Sequence, residues 1–134
     1  MKYLLDTNHC IFLINRIYPG VASHLARQAV GSVAVSSVTV SELWYGVENS
    51  SRREQNRAAL AKFFLPLEIL PFGENAAQAY GKIRSVLEKA GRAIGAMDLL
   101  IAAHALSLSA TLVTHNRKEF QRVSGLKVED WTEG

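Results

Sequence analysis

The 134-residue chain has one cysteine and three prolines. One cysteine rules out an intramolecular disulfide framework and suits a reducing compartment. No apolar run reaches the roughly 18 residues a membrane-spanning helix needs. The longest, from Leu99 to Leu108, is interrupted by His104 and preceded by Asp98. The opening Lys2-Tyr3-Leu4-Leu5 starts like a leader peptide, but Asp6 stops it far short of an apolar core segment. These absences predict a soluble, cytoplasmic protein with no membrane role. Two further absences narrow its chemistry. Neither GxxxxGK[ST] nor GxGxxG occurs, which excludes the common phosphate-cradling loops. His9, His24, His104 and His115 lack the spacing of a zinc site, and Cys10 has no base partner and reads as packing.

Apolar residues make up 49% of the chain and charged residues 20%, too apolar for disorder and right for one core, so residues 1–134 are expected to form a single domain. The net charge of +3 leans toward an anionic partner such as nucleic acid.

The apolar pattern alternates between short runs and helical stripes. Residues 2–5, 32–36, 67–70 and 111–114 read as buried strands, with a fifth, edge strand at 126–128. Helices are expected from Thr7 or Asn8 to Asn15, over the stripe Val21 to Ala29 closed by Gly31, around Val40 to Val47, over 52–64, from Ala76 to Ala90 with Gly91 just beyond, and from Asp98 to Leu106. The last is apolar nearly all round and should be buried on most sides. Strands alternating with helices predict a parallel sheet of four to five strands covered on both faces, an α/β/α sandwich.

Against this apolar background the acids stand out. Asp6 ends the first strand, Glu42 enters the helix after the second, Asp98 opens the most apolar helix, and Asn116 lies two residues past the fourth strand. In an open parallel sheet ligands bind beyond the carboxyl ends of the strands, where the strand order reverses. Acids gathered there repel one another, so they take up protons or recruit a cation. Carboxylate oxygens suit Mg²⁺, which keeps several waters and accepts phosphate oxygens. Such a site would hydrolyse phosphodiesters. Each acid also has a purely structural reading. Asp6 and Asp98 can cap their own helices, and Thr39-Val40-Ser41-Glu42 fits a capping box. Basic residues Arg117, Lys118 and Arg122 follow the fourth strand, near the expected site, and Arg52, Arg53 and Arg57 make a second basic group. Trp44 and Tyr45 read as packing or exposed contact residues.

Four stretches in order resemble the PIN-domain ribonucleases, in particular the VapC toxins of bacterial toxin–antitoxin pairs. They are Leu4-Leu5-Asp6-Thr7-Asn8, Ser36 to Leu43, Ile94 to Ala105 around Asp98, and Thr111-Leu112-Val113-Thr114-His115-Asn116; the ending Glu119-Phe120, Gly125-Leu126 and Asp130-Trp131 fits as well. The resemblance implies a PIN-like sandwich and a Mg²⁺- or Mn²⁺-dependent endoribonuclease, with RNA, including transfer RNA, as substrate. It implies that Asp6 and Asp98 hold metal, that Glu42 tunes the site through water, and that Asn116 stands where many relatives carry a fourth acid. Thr7 and Thr114 would support the site, and His115, Arg117 and Lys118 would touch RNA. A VapB-like antitoxin, a homodimer and a toxin–antitoxin hetero-oligomer are the implied partners. A PIN-like module that binds RNA or protein without cutting is the alternative. A phosphorylated-aspartate enzyme fits less well, because the position two residues after Asp6 is Asn8 rather than an acid.

Overall fold

The computed structural model describes residues 2–132; Met1, Glu133 and Gly134, the ends of the expected domain, lie outside the described residues. In chain order the elements are β1 (Tyr3–Leu5), α1 (Thr7–Asn15), α2 (Pro19–Ala26), β2 (Val33–Ser36), α3 (Ser37–Glu48), α4 (Arg53–Phe64), β3 (Glu68–Leu70), α5 (Glu74–Lys89), α6 (Ala96–Ser107), β4 (Thr111–Val113), α7 (Arg117–Phe120) and β5 (Val128–Glu129). The strands form one parallel sheet in the order β3-β2-β1-β4-β5. Successive connections run outward from β1 to β2 and β3, then return across the sheet to β4 and β5. The order reverses at the β1–β4 boundary, so the crevice at the carboxyl ends of those strands is the natural ligand site.

The continuous apolar strands follow from burial on both faces. Leu4 is in register with Ala34 on one side and Leu112 on the other, and all three point into a core made by α5, α6 and α7. Their chain neighbours Tyr3, Leu5, Val33, Val35 and Val113 point the opposite way, into a core with Cys10, Val21, Leu43, Val47, Leu60, Phe64 and Trp131. Side chains alternate across the pleat, so neither face of a central strand can be polar. Helix α6 is buried at Leu99, Ile101, Ala102, Ala103, His104 and Ala105, as its largely apolar surface requires.

Four expected boundaries move. The capping box does not form, because β2 passes directly into α3 and Ser36 is the cap, its Oγ accepting the Val38 N–H at 3.1 Å. Thr39 and Glu42 therefore lie inside the helix rather than at its start. Helix α6 begins at Ala96 behind Gly95, since Ala96 and Met97 are good helix formers; Asp98 is its third residue and does not cap it. Helix α2 starts at Pro19, whose missing N–H costs nothing at a first position, and ends at Ala26; Gly31, at φ +85°, serves the turn into β2. The edge strand pairs Val128 and Glu129 with Leu112 and Val113, two residues later than the apolar pattern suggests. Of the two aromatics expected to be exposed, only Tyr45 is; Trp44 is half-buried against Phe64. Gly91 does stand just past α5, at φ +69°, where a side chain would strain the backbone.

Ser36 also ties the two halves of the sandwich together. Its Oγ lies 2.8 Å from Nδ1 of buried His104 on α6. Burial lowers the pKa of His104, so the imidazole is neutral at neutral pH. We expect Ser36→Ala to cost about 2 kcal/mol in urea denaturation, because it removes a helix cap and leaves a buried ring nitrogen unpaired. A loss under about 0.5 kcal/mol would show that the cross-link contributes nothing beyond a surface substitution.

Candidate active site

Asp6 is where β1 gives way to α1. Its backbone N–H still donates to Val113 O at 3.0 Å, within the sheet, while its Oδ1 accepts the His9 N–H at 2.8 Å. The structural reading of Asp6 as a cap is thus correct. It does not compete with a chemical role, because a carboxylate has a second oxygen to offer. The side chain is buried, and His9 Nδ1 lies 3.4 Å from the same Oδ1.

Thr7 is the first residue of α1. Its hydroxyl donates to Glu42 Oε1 at 2.5 Å and lies 3.2 Å from the Thr39 hydroxyl. This contact links α1 to α3 and turns Glu42 toward the end of β1. Had Glu42 closed a capping box, it would face the backbone of its own helix. Thr39, fully buried, is a supporting residue that the sequence disguised as a helix cap.

Asp98 completes the convergence from the other side of the sheet. Its carboxyl is pushed up to about 6, first by burial, then by Glu119, with which it shares a hydrogen bond, and also by the charges of Asp6 and Glu42. Three further acids, Asp6 at the head of α1, Glu42 on α3 and Glu119 on α7, thus oppose the charge of Asp98 on α6. Glu119 is the member that the residue-by-residue reading of the acids missed. Its Oε1 accepts the Gly95 N–H at 3.2 Å and its Oε2 accepts the Asn116 side-chain amide at 2.5 Å. A methyl group on Gly95 would lie 3.8 Å from Asp98 Oδ2 and 3.9 Å from Glu119 Oε1, which shows how closely the two carboxylates share that corner. Asn116 thus orients an acid. Its backbone N–H is held by the buried Thr114 hydroxyl at 3.0 Å. A signal was available: Asn116 and Glu119 are three apart, the spacing at which side chains meet across one helical turn.

The remaining candidates spread outward from this corner. His115, Asn116, Arg117 and Lys118 are all exposed on the rim after β4. Arg122 is turned away, its Nη1 donating to Ala93 O at 3.0 Å. The Arg53 and Arg57 side chains both pair with Glu48.

A model matching the PIN domain covers residues 3–126. Ribonuclease VapC2 of Rickettsia felis is 43% identical over 132 residues, covering 98% of each chain. The chain belongs to the PIN-domain family and, within it, to the VapC ribonucleases. The tRNA(fMet)-specific endonuclease VapC of Shigella flexneri is 40% identical over 98% of this chain and 99% of its own. In the DNA-bound VapBC crystal structure from Salmonella typhimurium, a chain 37% identical superposes with a TM-score of 0.93 over 98% of both. The family is one of RNA-cleaving hydrolases, and the α/β sandwich expected from the sequence is its fold.

The donor set can be tested for a metal. Among the described residues no three His, Cys, Asp or Glu side chains close on a single point as a ready-made cage. A set with no ready-made cage suits a hard cation that keeps most of its waters, as Mg²⁺ does, better than a fully protein-ligated ion, and with its carboxyl at about 6 Asp98 is mostly ionised at neutral pH and able to join it.

The raised Asp98 pKa has a stability consequence. The folded protein holds this proton more tightly than the unfolded chain does. The contribution favours folding fully below about 4 and is lost as pH rises through about 6. Without metal, Asp98→Asn should therefore raise Tm at pH 8 by about 3 °C, on the order of 1 kcal/mol after allowing for partial exposure. The gain should vanish near pH 4. A variant no more stable than the parent at pH 8 would show that the acids do not repel.

Proposed function

We propose that the chain, working as one PIN-like unit over residues 1–134, is the toxin of a toxin–antitoxin pair and cuts RNA with the help of a divalent cation, Mg²⁺ or Mn²⁺, in the cytoplasm. The observation that carries this reading is the opposition of Glu119, Asp6 and Glu42 to the charge of half-buried Asp98 at the carboxyl edge of the sheet. Asp6 and Asp98 would hold the ion directly, with Glu42 and Glu119 reaching it through water. When bound, such an ion supplies the positive charge that polarises a phosphodiester and makes water a better nucleophile.

The chain's own residues set up that event. Thr7 fixes Glu42 so that its second oxygen can orient or take a proton from the attacking water. Asn116 and the Gly95 N–H fix Glu119, and Thr114 fixes Asn116. Arg117, Lys118 and His115 line the rim along which the phosphates and sugars of RNA would run. Attack by water leaves a 5′-phosphate and a 3′-hydroxyl and needs no 2′-hydroxyl. Transfer RNA is the proposed substrate class, as the name of the Shigella flexneri relative suggests.

Relatives have been crystallised as VapBC complexes. A VapB-like antitoxin is accordingly the proposed partner, on a homodimer of this chain. A groove of about 340 Å³ between α1, α3 and α4 suits its tail. The groove is lined by Ile11, Ile14, Leu43, Gly46 and Leu60, and Glu42 stands at its end. An apolar segment lying there could set a basic side chain against the acids.

Two experiments test the proposal. Asp6→Asn and Asp98→Asn should each cut RNA at least a hundredfold more slowly in Mg²⁺ and should not arrest growth when expressed. RNA cleavage by the parent that survives EDTA would refute the metal-dependent reading. For the groove, a Cβ at Gly46 meets nothing within 4 Å, so Gly46→Leu should fold, with a helix stabilised by about 0.5–1 kcal/mol. The variant should remain toxic beside the antitoxin that silences the parent; full silencing would place the antitoxin elsewhere.

A further inference from the structure

His115 is on the rim beside the acids, yet it is not held as a surface residue usually is. Its Nδ1 is 2.8 Å from Asp130 Oδ2 and 3.1 Å from the Thr132 hydroxyl. Asp130 is itself an anchor: only 3% of its side chain is exposed, and its Oδ1 accepts both the backbone N–H and the hydroxyl of Thr132, at 2.9 and 2.6 Å. A carboxylate at this distance only accepts, so Nδ1 carries the proton and the ring orientation is fixed. The ring is also braced by aromatics, with Tyr18 at 6.0 Å and a 33° tilt and Phe12 edge-on at 6.3 Å. Even so, 55% of the His115 side chain faces solvent.

The position matters as much as the pose. Asn116, the next residue, holds Glu119. On the inner side, Asp130 Oδ1 is 3.7 Å from His9 Nε2, and His9 Nδ1 is 3.4 Å from Asp6 Oδ1. Only two side chains therefore separate the exposed ring from the acid at the end of β1.

We propose that His115, braced by Tyr18, is a stacking platform for one unpaired base of the RNA, next to the phosphodiester to be cut. The inference rests on the RNA-cleaving site proposed above and adds a subsite to it. A flat ring whose rotamer is already fixed loses little entropy when a base settles on it, and every base offers a π-face. A base stacked inside a duplex has no face to spare, so the platform takes a base that is already unpaired or has been turned out of its helix. Stacking at this point fixes the neighbouring phosphate over the acids, whereas the flexible Lys118 beside it can only attract phosphate.

Two substitutions separate the platform from the tie it makes to the C-terminal turn. His115→Asn keeps an N–H donor for Asp130 and removes the ring. His115→Phe keeps the ring and loses the donor. The probe is a short single-stranded oligoribonucleotide carrying one 2-aminopurine, moved along the chain in separate substrates; stacking quenches its fluorescence. Cleavage in Mg²⁺ is followed on the same substrates. We expect His115→Asn to raise KM about tenfold, the loss falling on KM rather than kcat, and to abolish the quench at one position. His115→Phe should restore both. The proposal is overturned if His115→Asn matches the parent in KM and quench, or if only His115→Phe is impaired, which would make the ring a structural tie. The proposed reaction is tested separately: a parent that quenches the probe without cutting it supports the platform and defeats the metal-assisted chemistry. Cutting with no position-specific quench does the reverse.

Discussion

At one edge of a parallel sheet Glu119, Asp6 and Glu42 are held close enough to Asp98 to oppose its charge, and most of the molecule can be understood as what holds them there. The cost shows in Asp98, whose proton is retained up to about pH 6 because burial and three neighbouring acids oppose its charge. As an acid in the first turn of α6, Asp98 gains about 0.3–1 kcal/mol from the helix dipole, and its raised pKa shows that burial and the neighbouring acids outweigh that gain. A cation bound as proposed would offset that repulsion. That is why a strained electrostatic corner in an otherwise apolar chain indicates chemistry rather than folding.

The scaffold meets the cost with two separate cores. Tyr3, Leu5 and Val113 fill one face and Leu4 and Leu112 the other, so β1 and β4, which carry Asp6 and Thr114 at their ends, are packed on both faces. Cross-links then set the angles. Ser36 and His104 join α3 to α6, and Thr7 joins α1 to Glu42. Asp130, near the C-terminus, reaches both His115 and His9 and so couples the end of the chain to its beginning. The acids come from elements far apart in sequence, and hydrogen bonds tie Asp6 to the first turn of α1, Glu42 to Thr7, and Glu119 to Gly95 and Asn116.

Much of this was legible in the sequence. The strand cores and their parallel arrangement followed from short apolar runs alternating with helical stripes, and Asp6, Glu42 and Asp98 stood out because acids are rare in such runs; the order of the strands within the sheet was not legible. Helix starts were less legible. Ser36 is both the last residue of a strand and the first cap of a helix, so a capping box drawn three residues later looked equally good. Asp6 shows the opposite case, where both readings hold at once because one oxygen caps and the other stays available. Glu119 was hidden for a different reason. It lies on a four-residue helix among charged neighbours, where an acid looks like an ordinary surface residue, and only the folded chain brings it against Asp98. Asp130 was passed over likewise, since its burial depends on a turn with no apolar signature.

The central claim is that these acids form a cation site whose protonation state is set by their crowding. Proton release on metal binding tests it most directly, measured by calorimetry with Mn²⁺ in buffers of differing ionisation enthalpy. With Asp98 at about 6, binding at pH 6 should release about half a proton, and binding at pH 8 almost none. Binding with no proton release at pH 6, or no binding at either pH, would contradict the account.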